Sequence, residues 1–220
     1  MEKQNKLKDS LLRFLRDLFD LTVLNWLWLI CSLPLVTLGP ATCGLYSVTL
    51  KMAREEPVSP LRDFFRGFRE NLKPGFVLGL GTMALLVVAL GDVWFALNIS
   101  GGISTMYLII AMIIGVVFLI LLSYTFALQA MFDSPLKTQL LNAFKLAVVA
   151  PGKTLALWLI LLIPVLAALA LPPVILQTLG FLYVVLGISG PVYGASFILR
   201  DIFDKVNGSP LVDEPPISEE

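Results

Sequence analysis

Five long apolar stretches constrain the fold of this chain more than any other feature. They run from Leu21 to Thr37, Gly75 to Leu97, Ile103 to Met131, Thr154 to Leu171 and Val174 to Leu199. A helix needs about 20 apolar residues, within a range of about 17 to 25, to cross the hydrocarbon core of a bilayer. Only 15% of the residues are charged, whereas a typical soluble domain has about 25%. The sequence therefore predicts an all-α transmembrane protein.

A sixth stretch, Pro40 to Ala53, is too short to be assigned from hydropathy, but the cations around it indicate its path. Five of the 16 Lys and Arg residues precede Leu21, and six more lie between Lys51 and Lys73. Short loops rich in Lys and Arg favour the cytoplasmic side. A single crossing would put these two groups on opposite sides, so we expect the chain to turn at Thr37 to Pro40 and come back. Pro40 suits the first turn of the returning helix, where its missing N–H costs nothing.

The resulting prediction is about six membrane helices, arranged as three hairpins with both termini cytoplasmic. The first hairpin is either two short spans or a re-entrant pair. A cytoplasmic amphipathic helix is expected before each hairpin, with the first in residues 1–20, the second near residues 61–73 and the third in residues 136–147. Residues 21–199 are predicted to form a single integral membrane domain. Residues 200–220 are predicted to be a cytoplasmic, acidic, Pro-containing and largely disordered tail.

Several sequence signals of catalysis are absent. The chain has no His, which excludes Ser-His-Asp and Cys-His arrangements and His-ligated metals. Its two Cys residues form no CxxC pair, and it contains no P-loop, HExxH or G-x-S-x-G motif. We therefore predict that the protein is not an enzyme and has no cofactor and no metal site. The zero net charge also gives no basic field to attract nucleic acid.

A candidate solute site combines the Pro- and Gly-rich first hairpin with an acid inside a predicted span. Broken helices expose backbone groups that can coordinate a solute, and an ionisable group in hydrocarbon costs about 2.5 to 3.5 kcal/mol. The alternatives are a tight turn between two helices for the hairpin and hydration at the external interface for the acid. The candidate residues are Pro34, Thr37, Gly39, Pro40, Thr42, Tyr46 and Asp92.

A row of cations forms a candidate lipid or partner face. Arg62, Arg66, Arg69 and Lys73 follow one another at spacings of three or four residues, which would place them on one helical face. The first interpretation is anchoring to anionic headgroups of the lipid bilayer, and the second is docking of a cytosolic partner. Elsewhere, the small residues Gly75, Gly79 and Gly81 predict close packing between helices of this chain.

Three segments resemble the YesL-type family of bacterial integral membrane proteins. They are NWLWLICSLPLVTLGPATCGLY, ending at Tyr46, RDFFRGFREN from Arg62 to Asn71, and YTFALQAMFDSPLKTQLLNAF from Tyr124 to Phe144. The resemblance covers roughly the first 150 residues, and SLPLVTLGPAT is its most specific piece. It implies a multi-pass protein of the bacterial cytoplasmic membrane, associated with carbohydrate-uptake and glycan-degradation gene clusters. The family is described chiefly as uncharacterised and brings no established site residues.

Two functional hypotheses follow from these observations. The leading one is an accessory or regulatory component associated with carbohydrate uptake, with a sugar ABC importer as its partner. The alternative is a small transporter or substrate-capture subunit for a sugar or related solute, with a site built from the first hairpin and Asp92. A membrane enzyme ranks third.

Overall fold

The computed structural model describes residues 2–132 and 134–207, and every regular element within these ranges is a helix. The all-α prediction is therefore confirmed for the described residues. They form α1 (Glu2–Ser32), a 3-10 turn (Leu35–Thr37), α2 (Leu38–Ala53), α3 (Pro60–Glu70), α4 (Leu72–Asn98), α5 (Gly102–Met131), α6 (Leu136–Val149), α7 (Pro151–Ala170), α8 (Pro173–Leu186) and α9 (Ser189–Asn207).

Two of these helices, α4 and α5, are each long and apolar enough to cross a membrane. Two helix pairs meet the same criterion when taken together. The pair Leu136–Val149 with Pro151–Ile163 is bent by 107°, and the pair Gly180–Leu186 with Ser189–Lys205 is bent by 51°. The described residues thus contain two candidate spans, or up to four if each bent pair is one span. This indicates a membrane protein, and the arrangement of six crossings stays a prediction.

The turn of the first hairpin lies earlier than the sequence predicted. We expected it at Thr37 to Pro40, but α1 ends at Ser32 and α2 already begins at Leu38. Pro34 explains the difference, because a proline lacks the backbone N–H and disfavours helical geometry in the residue before it. Pro40 is the third residue of α2, so its predicted place in the first turn is confirmed.

Helix boundaries also differ elsewhere from the predicted ones. Residues 2–20 form no separate helix, because no Gly or Pro interrupts α1 before Ser32. The apolar run from Val174 to Leu199 is divided between α8 and α9 at Gly187 and Ile188. Past Leu199, α9 continues to Asn207. The rest of the predicted tail, residues 208–220, lies outside the described residues.

The short helix α2 forms the centre of the fold, although hydropathy could not assign it. It packs against α1, α3, α4, α5 and α9, and 12 of its 16 residues are buried. Leu45 and Tyr46 are among its fully buried side chains. Its Thr49 hydroxyl accepts a hydrogen bond of 2.9 Å from Ser196 of α9. The surroundings of α2 are therefore protein, and its moderate hydropathy suits that environment.

Glycine residues bring the backbones of α2 and α4 into direct contact. A Cβ atom added to Gly39 would overlap the carbonyl oxygen of Gly75 and lie 3.0 Å from the Cα atom of Gly79. A Cβ atom added to Gly75 would lie 2.8 Å from the nitrogen of Pro40. The prediction of close packing within the chain is confirmed for Gly75 and Gly79. Gly81, in contrast, faces open space, because a Cβ atom added there would meet no atom within 4 Å.

We predict that Gly39→Ala destabilises the protein, because the new methyl group has no room against the α4 backbone. The expected loss is about 1 to 3 kcal/mol. Gly81→Ala is the matched control, since it has space and gains up to about 1 kcal/mol of helix propensity. Unfolding in detergent, followed by circular dichroism, measures both variants. Equal midpoints for the two variants would contradict the close approach of α2 and α4.

A single buried amide of α1 holds the break between α8 and α9. Asn25, 1% exposed, donates through Nδ2 to the carbonyl of Val184 at 2.8 Å. Its Oδ1 accepts the N–H groups of Ile188 and Ser189 at 3.0 and 3.2 Å. A helix end leaves backbone groups without intrahelical partners, and leaving such groups unpaired when buried is costly. Asn25 therefore provides hydrogen-bond partners for backbone groups at the end of α8 and at the start of α9.

Similar amide contacts hold two other helix junctions. At the α3–α4 junction, the Gln129 side chain of α5 donates to Oδ1 of Asn71 at 2.8 Å, and Asn71 in turn donates to a carbonyl in the last turn of α3. At the α5–α6 junction, Gln139 donates to the carbonyls of Phe132 and Ser134, both at 3.1 Å. Buried polar side chains thus stabilise changes of direction in the chain.

We predict that Asn25→Leu, which keeps the branched shape and the number of side-chain heavy atoms, lowers stability by about 2 to 4 kcal/mol by leaving buried backbone groups unpaired. Thr22→Val is the control on the same helix, because the Thr22 hydroxyl donates only to the Leu18 carbonyl of α1. Chemical denaturation in detergent compares the two. A loss for Asn25→Leu no larger than for Thr22→Val would show that the α8–α9 break does not need Asn25.

The α4–α5 hairpin extends far beyond the core around α2. Apart from Ala96 beside the hairpin turn, the buried residues of α4 are Gly75, Leu78, Gly79 and Thr82. The buried residues of α5 lie at its opposite end, between Leu121 and Leu128, except for Ala111. Only 17% and 6% of the residues in the apolar windows of α4 and α5 are buried. Most of this hairpin therefore presents apolar side chains outward.

Candidate functional site

Charged residues from distant parts of the sequence meet at one end of the helices. They come from the C-terminal ends of α2 and α9, from α3, and from the start of α7. Partly exposed ion pairs of this kind contribute only about 0 to 1 kcal/mol each to the stability of the fold. They matter here because they show which charged residues lie close together. The pairs are Arg54 with Asp204 at 2.9 Å, Lys51 with Asp63 at 3.4 Å and Lys153 with Asp201 at 3.6 Å.

Three of the four cations of the predicted lipid or partner face lie on α3. Arg62, Arg66 and Arg69 are exposed, whereas Lys73 lies on α4, beyond the junction at Asn71. The three arginines line an open groove of about 610 Å³ with Leu61, Phe65 and Glu70. Leu61 and Phe65 are 56% and 38% exposed. The groove therefore combines cations with uncovered apolar surface.

Asp63, on the buried side of α3, pairs with Arg66 and so distinguishes it from the other two arginines. Its Oδ1 lies 2.5 Å from Nη2 of Arg66 and 3.4 Å from Nζ of Lys51, and its Oδ2 accepts the Ser59 N–H at 2.9 Å. Burial alone would raise the pKa of this carboxyl, but the Ser59 hydrogen bond and the two cations outweigh it and hold the pKa below its usual range. Arg66 is thus engaged within the protein, while Arg62 and Arg69 have no ion-pair partner among the described residues.

The sequence analysis did not single out Asp63. Ser59 followed by Pro60 and an acid in the first turn is typical of a helix start, and that signal could have identified the residue.

We predict that Asp63 stabilises the fold at neutral pH by about 1 to 3 kcal/mol. Because its folded pKa is depressed, the contribution is complete above the unfolded value of about 3.9 and is lost as the pH falls through the folded pKa. The stability difference between the unmodified chain and Asp63→Asn should therefore shrink from pH 7 to pH 3. Glu70→Gln, on the exposed side of α3, is the control. A difference that stays constant with pH would contradict the proposed charge network.

The Thr37 and Thr42 hydroxyls of the first hairpin form hydrogen bonds within the hairpin itself. The Thr37 hydroxyl lies 2.6 Å from the carbonyl of Cys31 and 2.7 Å from that of Pro34. The Thr42 hydroxyl donates to the Leu38 carbonyl at 2.8 Å and accepts the Trp28 indole N–H at 3.1 Å. Gly39 and Pro40 are buried in the contact with α4, and Pro34 is exposed. The two hydroxyls therefore already have partners inside the hairpin, and Gly39 and Pro40 are covered by α4.

Thr42 and Tyr46 do share a small cavity with the α8–α9 break. It measures about 170 Å³ and is lined mainly by apolar groups, including Trp28, Leu122 and Leu161. The Tyr46 hydroxyl has no hydrogen-bond partner among the described side chains, whereas that of Thr42 is already bonded. A sugar needs several polar contacts at once, and this cavity offers few.

Asp92 lies apart from this cavity. It is about 13 residues beyond Gly79 on α4, or about 20 Å at the helical rise, and it approaches the hairpin turn at Asn98. Its Oδ2 atom is buried without a hydrogen-bond partner in the described part of the chain. The structure therefore does not bring Asp92 together with Thr42 and Tyr46. Within the same residues, no three metal-ligating side chains cluster.

Comparison with known proteins gives one match. Residues 21–93 match the family model DUF624, described as a protein of unknown function. The matched region covers about a third of the chain and contains the first hairpin, α3 and most of α4. No curated protein and no solved structure matches the chain. The match therefore indicates an uncharacterised family and assigns no activity.

Proposed function

We propose that this protein is an accessory or regulatory component of the bacterial cytoplasmic membrane that acts alongside carbohydrate uptake and has no catalytic activity of its own. The observation that carries the proposal is the α3 groove, where Arg62 and Arg69 are free of ion pairs among the described residues and lie beside exposed Leu61 and Phe65. Cations next to uncovered apolar surface suit anionic headgroups or an acidic protein surface. The resemblance to the YesL-type family supports carbohydrate uptake, and with it a sugar ABC importer as partner.

A small transporter or substrate-capture subunit is the second candidate. It is favoured by the buried Oδ2 atom of Asp92, which has no hydrogen-bond partner among the described residues, since an acid at membrane depth is costly unless it serves a cavity or a partner. The internal hydrogen bonds of Thr37 and Thr42 and the apolar cavity beside Tyr46 count against it. Vesicles reconstituted with the chain alone should accumulate no sugar if the first proposal is right. Flux that Asp92→Asn reduces would favour the transporter.

The topology we propose puts the charged end in the cytoplasm and makes the first hairpin re-entrant. From Lys73 to Trp94, α4 rises about 30 Å, which matches the hydrocarbon thickness, and an exposed Trp is typical of an interface. The start of α2 contacts α4 at Gly75 and Gly79, and Gly79 lies only about 9 Å beyond Lys73. The start of α2 thus lies much nearer to Lys73 than to Trp94 along α4. In the proposed topology the hairpin therefore enters the membrane and returns without crossing it.

The docking proposal predicts that reversing two charges on α3 abolishes partner recovery. The double variant Arg62→Glu and Arg69→Glu should no longer co-purify with a sugar ABC importer, because both free cations become acidic. Lys137→Glu and Lys145→Glu on α6, where both residues are exposed, form the matched control. Affinity purification in mild detergent, with the importer detected by mass spectrometry, gives the readout.

Unchanged importer recovery by the α3 double variant would contradict docking through this face. If the double variant in detergent also loses binding to mixed micelles that contain phosphatidylglycerol, the α3 face binds lipid instead. The lipid interaction should weaken as salt increases, because exposed charges are screened.

A further inference from the structure

A second cavity, unrelated to the α3 groove, lies where α1, the α2–α3 connection and α9 meet. Its volume is about 480 Å³, within the range of about 300 to 1,000 Å³ that small-molecule sites occupy. Its lining is rich in charge and includes Arg13, Arg16, Asp17, Glu55, Glu56 and Tyr193. The sequence analysis did not predict this site, because its walls come from three distant segments.

The charges in this cavity are largely uncompensated. Arg16 and Asp17 approach each other at 3.9 Å, while Arg13, Glu55 and Glu56 form no ion pair among the described residues. The free cation comes from α1, and the free carboxylates come from the α2–α3 connection. A ligand that complements this arrangement carries a negative and a positive group on one small framework.

Glu55 occupies a backbone conformation that glycine would adopt more easily. Its φ angle is 58°, in the left-handed region. The N–H of Glu55 bonds to the carbonyl of Met52, and that of Glu56 bonds to the carbonyl of Lys51, both at 3.0 Å. This is the Schellman arrangement at a helix end, where the left-handed residue is usually Gly. The side chain at position 55 thus lines the cavity at a conformational cost.

Exposed apolar residues of α1 beside the charged ones indicate the depth of this cavity. Arg13, Arg16 and Asp17 share one helical face, and they line the cavity. Leu12, Leu15 and Phe19 lie on the adjoining part of the helix surface and are 55%, 49% and 67% exposed. In a membrane protein, an uncovered apolar face is suited to lipid. The cavity therefore adjoins exposed apolar surface of α1, as expected for a site at headgroup level.

We propose that this cavity binds a zwitterionic group of the phosphoethanolamine type. Arg13 and Arg16 would hold the phosphate, since guanidinium groups match phosphate geometry, and Glu55 and Glu56 would hold the ammonium group. The ring of Tyr193 offers a further favourable surface for the cation. The group can belong to a phosphatidylethanolamine headgroup or to a free small molecule. The inference does not depend on the function proposed above.

Binding to the full-length chain in detergent tests the proposal with three probes. These are soluble phosphoethanolamine and mixed micelles that contain either phosphatidylethanolamine or phosphatidylglycerol. Saturable binding of the soluble probe assigns the site to a free ligand as well as to lipid. Binding of phosphatidylethanolamine micelles alone assigns it to the headgroup. Equal binding of phosphatidylglycerol, which has no ammonium group, would overturn the proposal.

Variants of Glu55 separate the site from the stability of the fold. Glu55→Gly should raise the melting temperature, because glycine suits the left-handed position, and yet weaken phosphatidylethanolamine binding about three- to tenfold by removing the carboxylate. Glu55→Gln and Arg13→Gln should weaken binding to a similar extent. Arg62→Gln and Glu70→Gln, which lie in the α3 groove outside this cavity, serve as charge-matched controls. Unchanged affinity in both Glu55 variants would refute the assignment.

Discussion

The backbone contact between α2 and α4 at Gly39 is the constraint on which the rest of the structure depends. Because no side chain separates the two helices there, the start of α2 is fixed against Gly75 and Gly79, near the beginning of α4. The other helices of the core then pack around α2, and the far part of the α4–α5 hairpin is left without cover. A cluster of small residues therefore fixes where along α4 the first hairpin packs and how much of the α4–α5 hairpin stands free of the core.

Much of the helical pattern could be predicted from the sequence, because helices with apolar surfaces are recognisable from the length and hydropathy of their apolar stretches. The helix α5, for example, ends at Met131 as predicted. The helix α2 could not be found in this way, since its surroundings are protein and its side chains are small or moderately polar. The distribution of cations still indicated that this stretch returns. The break between α8 and α9 escaped prediction because its stabilising group, Asn25, is more than 150 residues away.

The same distinction between local patterns and contacts of distant residues applies to the candidate sites. Spacing along one helix identified Arg62, Arg66 and Arg69 on a common element, but it could not reveal that Asp63 engages only one of them. The candidate solute site grouped residues by chemical type alone, and this grouping did not predict which of them lie close together. Asp92, on α4, lies far from the cavity that Thr42 and Tyr46 of α2 line. The charged cavity beside Glu55 depends on three segments meeting in space, and no local pattern in the sequence encodes such a meeting.

The most direct test of this account asks whether the tip of the first hairpin reaches the outer surface. Single cysteines are introduced as Val36→Cys at the tip and Asn98→Cys at the α4–α5 turn, in a chain in which Cys31 and Cys43 are replaced by Ala. A membrane-impermeant maleimide is added to intact cells, and labelling after solubilisation in detergent verifies that both thiols can react. The account predicts that the reagent labels Asn98→Cys and not Val36→Cys in intact cells. Labelling of both from outside would contradict it.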